Sequence, residues 1–165
     1  MIGNFFKSLG ARSKSITLLS PIAGKVIPLS EVKDPTFANG LLGAGIAIEP
    51  SSDRVVAPAD ARVEAIFPTG YAVALHTEDG LDILIHVGLN TIQLEGKHFK
   101  VHATEGDLVE KGQVLIEYDC AAVAAEGFDE TVPILLCNSV EFTAIESEYG
   151  RTVDELEPLF TVHER

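Results

Sequence analysis

From Ile16 onward, apolar residues fall in short runs, several alternating with polar ones, and Gly, Pro, Asp and Asn separate the runs. That rhythm predicts an all-β fold, an antiparallel β-sandwich or barrel with short helical turns, and disfavours alternating strand and helix units. Strands are expected at 16–19, 24–29, 45–49, 54–57, 61–67, 71–77, 81–87, 113–118, 132–137 and 159–163, with helical turns near 34–39, 90–94 and 138–145. A weak echo between Ser20–Val26 and Ala57–Val63, each with a proline ahead of a strand, suggests a closed β architecture. Gly106 and Gly112 suit tight turns, so 105–115 reads as turn, strand, turn, strand.

Residues 1–15 break the pattern. Ile2, Phe5, Phe6 and Leu9 share one helical face, and Lys7, Arg12 and Lys14 are the charges nearby. Two readings stay open: a flexible N-terminal segment, or a short amphipathic helix making weak membrane-surface contact through residues 2–9. Residues 16–165 are expected to form one domain, since 165 residues with 46% hydrophobic side chains suffice for one core and not two.

Charge narrows the choice of partners. Twelve Lys and Arg against 25 Asp and Glu give a net charge of −13, which argues against nucleic acid and favours a basic protein partner. Cys120 and Cys137 belong to no metal or redox motif and are expected to be reduced core thiols. There is neither an apolar run of about 18 residues nor a signal-peptide pattern, so a cytoplasmic location is expected.

The most informative stretch is Gly80–Ile92, an apolar strand ending in His86. Alternation places Leu81, Ile83, Ile85 and Val87 on one face and Asp82, Leu84 and His86 on the other. A neutral imidazole offers a nucleophilic nitrogen while its second nitrogen is held by a hydrogen bond. Gly88, lacking a Cβ, lets the backbone turn back so that a carbonyl can accept that ring N–H. From spacing alone, a hydrogen-bonded core histidine stays open beside the chemical reading.

The segments LLGAGIAIEP at 41–50, VVAPADARVEAIF at 55–67, GLDILIHVGLNTI at 80–92 and EGDLVEKGQVLIEYD at 105–119 resemble the glucose-type IIA domain of bacterial phosphoenolpyruvate-dependent sugar phosphotransferase systems. The third fits that family's phosphohistidine signature through Gly80, His86, Gly88 and Thr91. The resemblance implies a compact antiparallel β-sandwich of hybrid-motif, jelly-roll-like form, with the active histidine in a shallow apolar depression. It implies a phosphotransferase component in which His86 takes a phosphoryl group from the histidine-containing phosphocarrier protein and passes it to a sugar-specific IIB domain. By the same resemblance Gly88 supplies the carbonyl that fixes the ring, and Thr69 sits where a supporting hydroxyl is expected. Asp34, Phe37, Leu41, Leu42, Phe67, Leu84, Asn90 and Ile92 would belong to the partner-binding rim. No cofactor or metal is expected for this chain.

Two positions depart from the family. The usual second histidine, fifteen residues before the acceptor, falls on Tyr71, and Asn90 replaces the usual aspartate. Tyrosine can donate to a phosphoryl oxygen but cannot take up a proton as imidazole does. That raises an alternative: a regulatory binding protein whose His86 phosphorylation state controls permeases or metabolic enzymes such as kinases, with weak onward transfer. His76 is five residues from Tyr71, an odd offset expected to point it to the opposite face. His98 and His102 sit in an expected exposed loop and His163 near the terminus, none with a metal-binding pattern. A lipoyl or biotinyl carrier lacks its modified lysine context here, and a zinc peptidase lacks its H-x-H pair.

Overall fold

Thirteen strands and a few short helical turns make up residues 14–165, the part of the chain described by this computed structural model. The strands are β1 (Ser15–Leu19), β2 (Gly24–Pro28), β3 (Ala44–Pro50), β4 (Arg54–Val56), β5 (Ala61–Ile66), β6 (Ala72–Thr77), β7 (Asp82–His86), β8 (Phe99–Val101), β9 (Leu108–Val109), β10 (Val114–Tyr118), β11 (Val132–Leu136), β12 (Thr152–Val153) and β13 (Pro158–His163). Two short helices, α1 (Pro35–Ala38) and α2 (Cys120–Ala125), join 3₁₀ turns at Leu29–Glu31, Thr91–Leu94 and Ser139–Glu141. Each expected strand and helical turn is present. The unexpected pieces are β8, β12, the Leu29–Glu31 turn and α2, where Asp119 caps the helix by accepting from the Ala122 amide at 3.0 Å.

Eight strands form one antiparallel sheet in the order β12-β2-β3-β11-β7-β6-β5-β9; β4-β10-β8 and β1-β13 form two smaller sheets. The large sheet is open, ending at the two-residue strands β12 and β9. The architecture is therefore a sandwich; the barrel alternative and the closed architecture suggested by the proline echo do not hold. Val56, the residue just before the second echoing segment, donates its amide to the Pro21 carbonyl at 2.9 Å.

The main core packs the inner face of the large sheet, including Ile46, Ile48, Val73, Leu75, Ile83, Ile85, Ile134 and Leu136, against Val55, Leu115 and Ile116 of the three-stranded sheet. A second, smaller core lies on the sheet's outer face. There Ile27, Ala47 and Leu135 are covered by Leu29, Val32 and Phe37 from the 29–38 segment, with Leu89 and Leu84 beside them. The outer cover gives His86 its surroundings.

Some sequence readings are corrected. Cys137 is exposed and Cys120 only half-buried, so neither is a true core thiol; both are free. His98 and His102 lie outside regular structure on either side of β8, as expected, with His102 exposed but His98 only partly so, and they pair with Glu126 and Glu117. His163 pairs with Glu146 at 3.1 Å. Among the described residues no group of three or more His, Cys, Asp or Glu is placed to hold a metal ion. Nor is any helix there long and apolar enough to cross a membrane. The proposed amphipathic stretch at 2–9 lies outside the described residues.

Candidate functional site

β7 lies in the interior of the large sheet between β11 and β6, so hydrogen bonds on both edges fix its backbone. Its burial alternates as expected: Ile83 and Ile85 are buried, while Asp82, Leu84 and His86 are partly exposed on the outer face. His86 is the last residue of the strand, and the chain turns immediately beyond it. A rigid strand with one reactive side chain at its end holds that side chain with little freedom.

The turn is built around Gly88, whose φ is +81°. A Cβ there would come within 2.5 Å of Thr91 Cγ2 and 3.2 Å of the Asp129 carbonyl oxygen, so only glycine fits. The conformation swings the Gly88 carbonyl back, and the His86 Nδ1–H donates to it at 2.6 Å. Three further bonds hold the turn: Thr91 Oγ1 donates to the Val87 carbonyl at 2.6 Å, the Leu89 amide to Asp129 O at 2.8 Å, and the Val87 amide to Tyr71 O at 2.7 Å. The Asp129 and Tyr71 carbonyls lie beyond sequence reasoning, because backbone contacts across such separations leave no trace in side-chain pattern.

Aromatic side chains frame the ring. Phe37, buried in the outer core, meets His86 edge-on with centroids 5.0 Å apart, and Tyr71 lies at 5.6 Å, tilted by 56°. Tyr71 in turn stacks on Phe67 at 4.7 Å. Burial pushes the His86 pKa below its ordinary value; the Gly88 hydrogen bond and the Asp34 carboxylate oppose this more weakly. The ring is neutral near pH 7. With Nδ1 carrying the proton, Nε2 holds the free lone pair of the ring.

Of the sequence-predicted residues, Gly88, Tyr71, Phe37 and Asp34 act directly on the His86 ring, and Phe67 stacks on Tyr71. Asp34 caps α1 by accepting from the Thr36 amide at 3.0 Å, and its charge reaches His86. Leu41, Leu42, Phe67 and Ile92 are 75%, 44%, 39% and 53% exposed, unusual values for large apolar side chains. Leu84 sits half-buried at the edge of the outer core. Thr69 lies against Gly96, which its Cα and Cγ2 approach closely. Asn90 is left-handed, with φ +60°, and lines a cleft of about 300 Å³ with Lys33, Gln93 and Asp129. A larger cleft of about 540 Å³, lined by Asp53, His98, Phe99 and Tyr118 among others, contains no predicted site residue.

The expectation about His76 needs correction. It pairs with Asp82 across β6 and β7, and so shares the outer face with Leu84 and His86. Tyr71 reaches His86 because it precedes β6, where strand alternation does not apply. Separation along the sheet, about 13 Å for four residues, is what keeps His76 from His86. His76 is also engaged, with Nδ1 2.6 Å from Asp82 Oδ1.

Comparison with known proteins places this arrangement in context. Residues 16–142 match the family model described as phosphoenolpyruvate-dependent sugar phosphotransferase system, EIIA 1. The beta-glucoside-specific EIIBCA component of Dickeya chrysanthemi is 43% identical over 143 residues, covering 87% of this chain and 23% of that much longer protein. The glucose-specific EIIA component of Oceanobacillus iheyensis is 38% identical, the match covering 84% of each chain. Among solved structures, glucose permease IIA from Mycoplasma capricolum superposes with a TM-score of 0.83 at 31% identity, covering 90% of this chain and 96% of its own. The chain belongs to the EIIA 1 family of the phosphoenolpyruvate-dependent sugar phosphotransferase system, as a phosphotransferase component that carries a phosphoryl group.

Proposed function

We propose that the phosphoryl group is carried on Nε2 of His86, received from the histidine-containing phosphocarrier protein and passed to a sugar-specific IIB domain. The observation that carries this reading is the 2.6 Å hydrogen bond from Nδ1–H to the Gly88 carbonyl, on a ring kept neutral by burial. Relatives in which the corresponding region is one part of an EIIBCA protein support IIB as the receiving partner.

The transfer itself is a symmetrical exchange. The donor's P–N bond breaks as the Nε2–P bond of His86 forms, each imidazole keeps one N–H, and the donor nitrogen leaves with its lone pair. No proton has to move, so positioning and electrostatics do most of the work. On the phosphorylated ring, positive charge is stabilised by the Gly88 carbonyl and the Asp34 carboxylate. The Tyr71 hydroxyl serves as a donor to a phosphoryl oxygen, with Thr69 at the edge of the site. The exposed rim of Leu41, Leu42, Phe67 and Ile92, with Asp34, Phe37, Leu84 and Asn90, forms the docking surface, and the reaction takes place in the cytoplasm.

Tyr71 favours a second reading, a regulator whose phosphorylation state selects the permeases or metabolic enzymes it docks. A tyrosine beside the acceptor can steady the phosphoryl group but cannot buffer positive charge during delivery. Incubation with the phosphorylated donor, followed by mass spectrometry, tests the acceptor role: label should appear on His86, and its absence rejects the proposal. Reconstitution with a IIB domain separates carrier from regulator. Rapid sugar phosphorylation supports the carrier, and intact labelling without delivery supports the regulator.

A further inference from the structure

We infer that Glu126 is a positioning residue for phosphoryl carriage: by holding His98 it fixes the 95–98 turn on which the Thr69–Tyr71 loop rests, and so keeps the Tyr71 hydroxyl at the phosphoryl group. This role rests on those proposed above for His86 and Tyr71. After His86 the chain runs from residue 87 to 98 without forming a strand. Three of the four non-glycine residues with a left-handed backbone among the described residues lie in this stretch: Asn90, Glu95 and His98, at φ +60°, +52° and +77°. Non-glycine residues keep such conformations only where their surroundings hold them.

One short segment holds the stretch at both ends. Near His86, the Leu89 amide donates to the Asp129 carbonyl at 2.8 Å. At the far end Glu126, where α2 stops, accepts from His98 Nε2–H through one carboxylate oxygen and from Lys97 Nζ through the other at 3.2 Å. The two donors are unequal. Lys97 is 63% exposed and its ion pair is screened by water, whereas His98 is only 22% exposed and its carbonyl also accepts from the Asp119 amide at 3.0 Å. Of the hydrogen bonds that hold the Glu126 carboxyl below its ordinary pKa, the one from His98 is the larger cause, with Lys97 second.

The loop that carries Tyr71 sits on this turn. A Cβ built on Gly96 would lie 3.6 Å from Thr69 Cα, and one on Gly70 would lie 3.0 Å from Phe99 Cβ and 3.3 Å from Val101 Cγ2. Residues 67–70 form a tight turn closed by the Gly70 amide, which donates to the Phe67 carbonyl at 2.8 Å. Their placement beside His86 is set on one side by the Tyr71 carbonyl, bonded to the Val87 amide at 2.7 Å, and on the other by Gly96 and Phe99. Phe99 is itself held, stacked on buried Tyr118 with centroids 5.6 Å apart. Gly96 depends on the turn around it, and that turn is what His98 and Glu126 hold.

The test uses the full-length chain. Glu126→Ala and His98→Gly each remove the pair; glycine suits φ +77°, so the second does so without straining the backbone. In both variants the Gly70 amide should exchange hydrogen at least about fivefold faster, while that of Ile85, inside the large sheet, keeps its rate. Loss of the Tyr71 hydroxyl should speed decay of the phosphohistidine about tenfold, so a loop displaced for about a quarter of the time should shorten its lifetime about threefold. Glu126→Gln, whose amide oxygen still accepts from His98, should restore both readings. In a Tyr71→Phe background Glu126→Ala should leave the lifetime unchanged, because the hydroxyl it positions is gone. Unchanged Gly70 exchange in both variants overturns the inference. So does an equal shortening with and without the hydroxyl, since Glu126 then acts on stability alone. A chain that takes no label sinks the acceptor role of His86, and Gly70 exchange still decides whether Glu126 holds the loop.

Discussion

The Nδ1 atom of His86 lies 2.6 Å from the carbonyl oxygen of Gly88, two residues further along the chain. One short bond thus fixes the tautomer, the ring orientation and the atom left free to react. The bond exists only because Gly88 adopts φ +81° in a space closed by Thr91 and Asp129.

Gly88→Ala should therefore cost both stability and chemistry. A non-glycine residue in such a conformation costs about 1–3 kcal/mol before any clash is counted. The Thr91 methyl group must also give way. Urea denaturation should show a loss of at least that size, and labelling of the folded fraction should be slowed by the misplaced carbonyl. Full stability with normal labelling contradicts the geometry.

Burial lowers the His86 pKa from its ordinary 6.5, which has a defined consequence for pH. Between the folded value and 6.5 the unfolded chain binds more protons than the folded one. His86 therefore contributes no destabilisation above pH 6.5, and stability is lost as pH falls from 6.5 through the folded value. On the proposed acceptor role the free lone pair also persists into acid: the labelling rate, corrected for donor chemistry, should fall with a midpoint below 6.5. A midpoint at or above that value contradicts burial of the ring.

Much of this site can be read from the chain, and the exceptions have physical causes. The Gly80–Ile92 stretch displays its alternation openly, so the faces of Ile83, Leu84, Ile85 and His86 follow from it. The two- and three-residue strands β12 and β8 are too short to show any alternation, and they exist only because β2 and β10 pair with them. The capped Ala-rich helix α2 carries a signal in Asp119 that its β-rich surroundings mask. Counting alternation through Tyr71, which lies outside the strand, puts His76 on the wrong face. The Asp129 carbonyl behind Gly88 depends on tertiary folding alone.

Tyr71→Phe keeps the stack on Phe67 and removes only the hydroxyl. A hydrogen bond to a charged acceptor is worth about 1.5–3 kcal/mol. Phosphorylated His86 should then lose its label at least about tenfold faster, with little change in thermal stability. Tyr71→His should instead speed delivery to a IIB domain. Unchanged decay in the Phe variant would mean that the hydroxyl does not reach the phosphoryl group.

Leu41→Asp and Ile92→Asp alter side chains that are 75% and 53% exposed, so stability should shift by no more than about 0.5 kcal/mol. Docking is another matter. Each change places a charge where a partner's apolar surface must settle, and the donor concentration needed for half-maximal labelling should rise. A donor requirement equal to that of the wild type in both variants would move the docking surface elsewhere.

Phe37 links the outer core to the chemistry, since it is buried among Ile27, Leu29, Val32 and Leu135 and also closes one edge of the His86 ring. Phe37→Ala should cost about 3–5 kcal/mol through the cavity left behind. In molecules that remain folded, water reaches the imidazole and weakens the desolvation that lowers its pKa. The labelling midpoint should then rise toward 6.5, while Phe37→Leu, which refills most of the space, should restore both stability and the acid-shifted midpoint. Destabilisation without a shift in midpoint would show that Phe37 supports the outer core but does not shield the ring, leaving Tyr71 and the Gly88 turn to account for its burial.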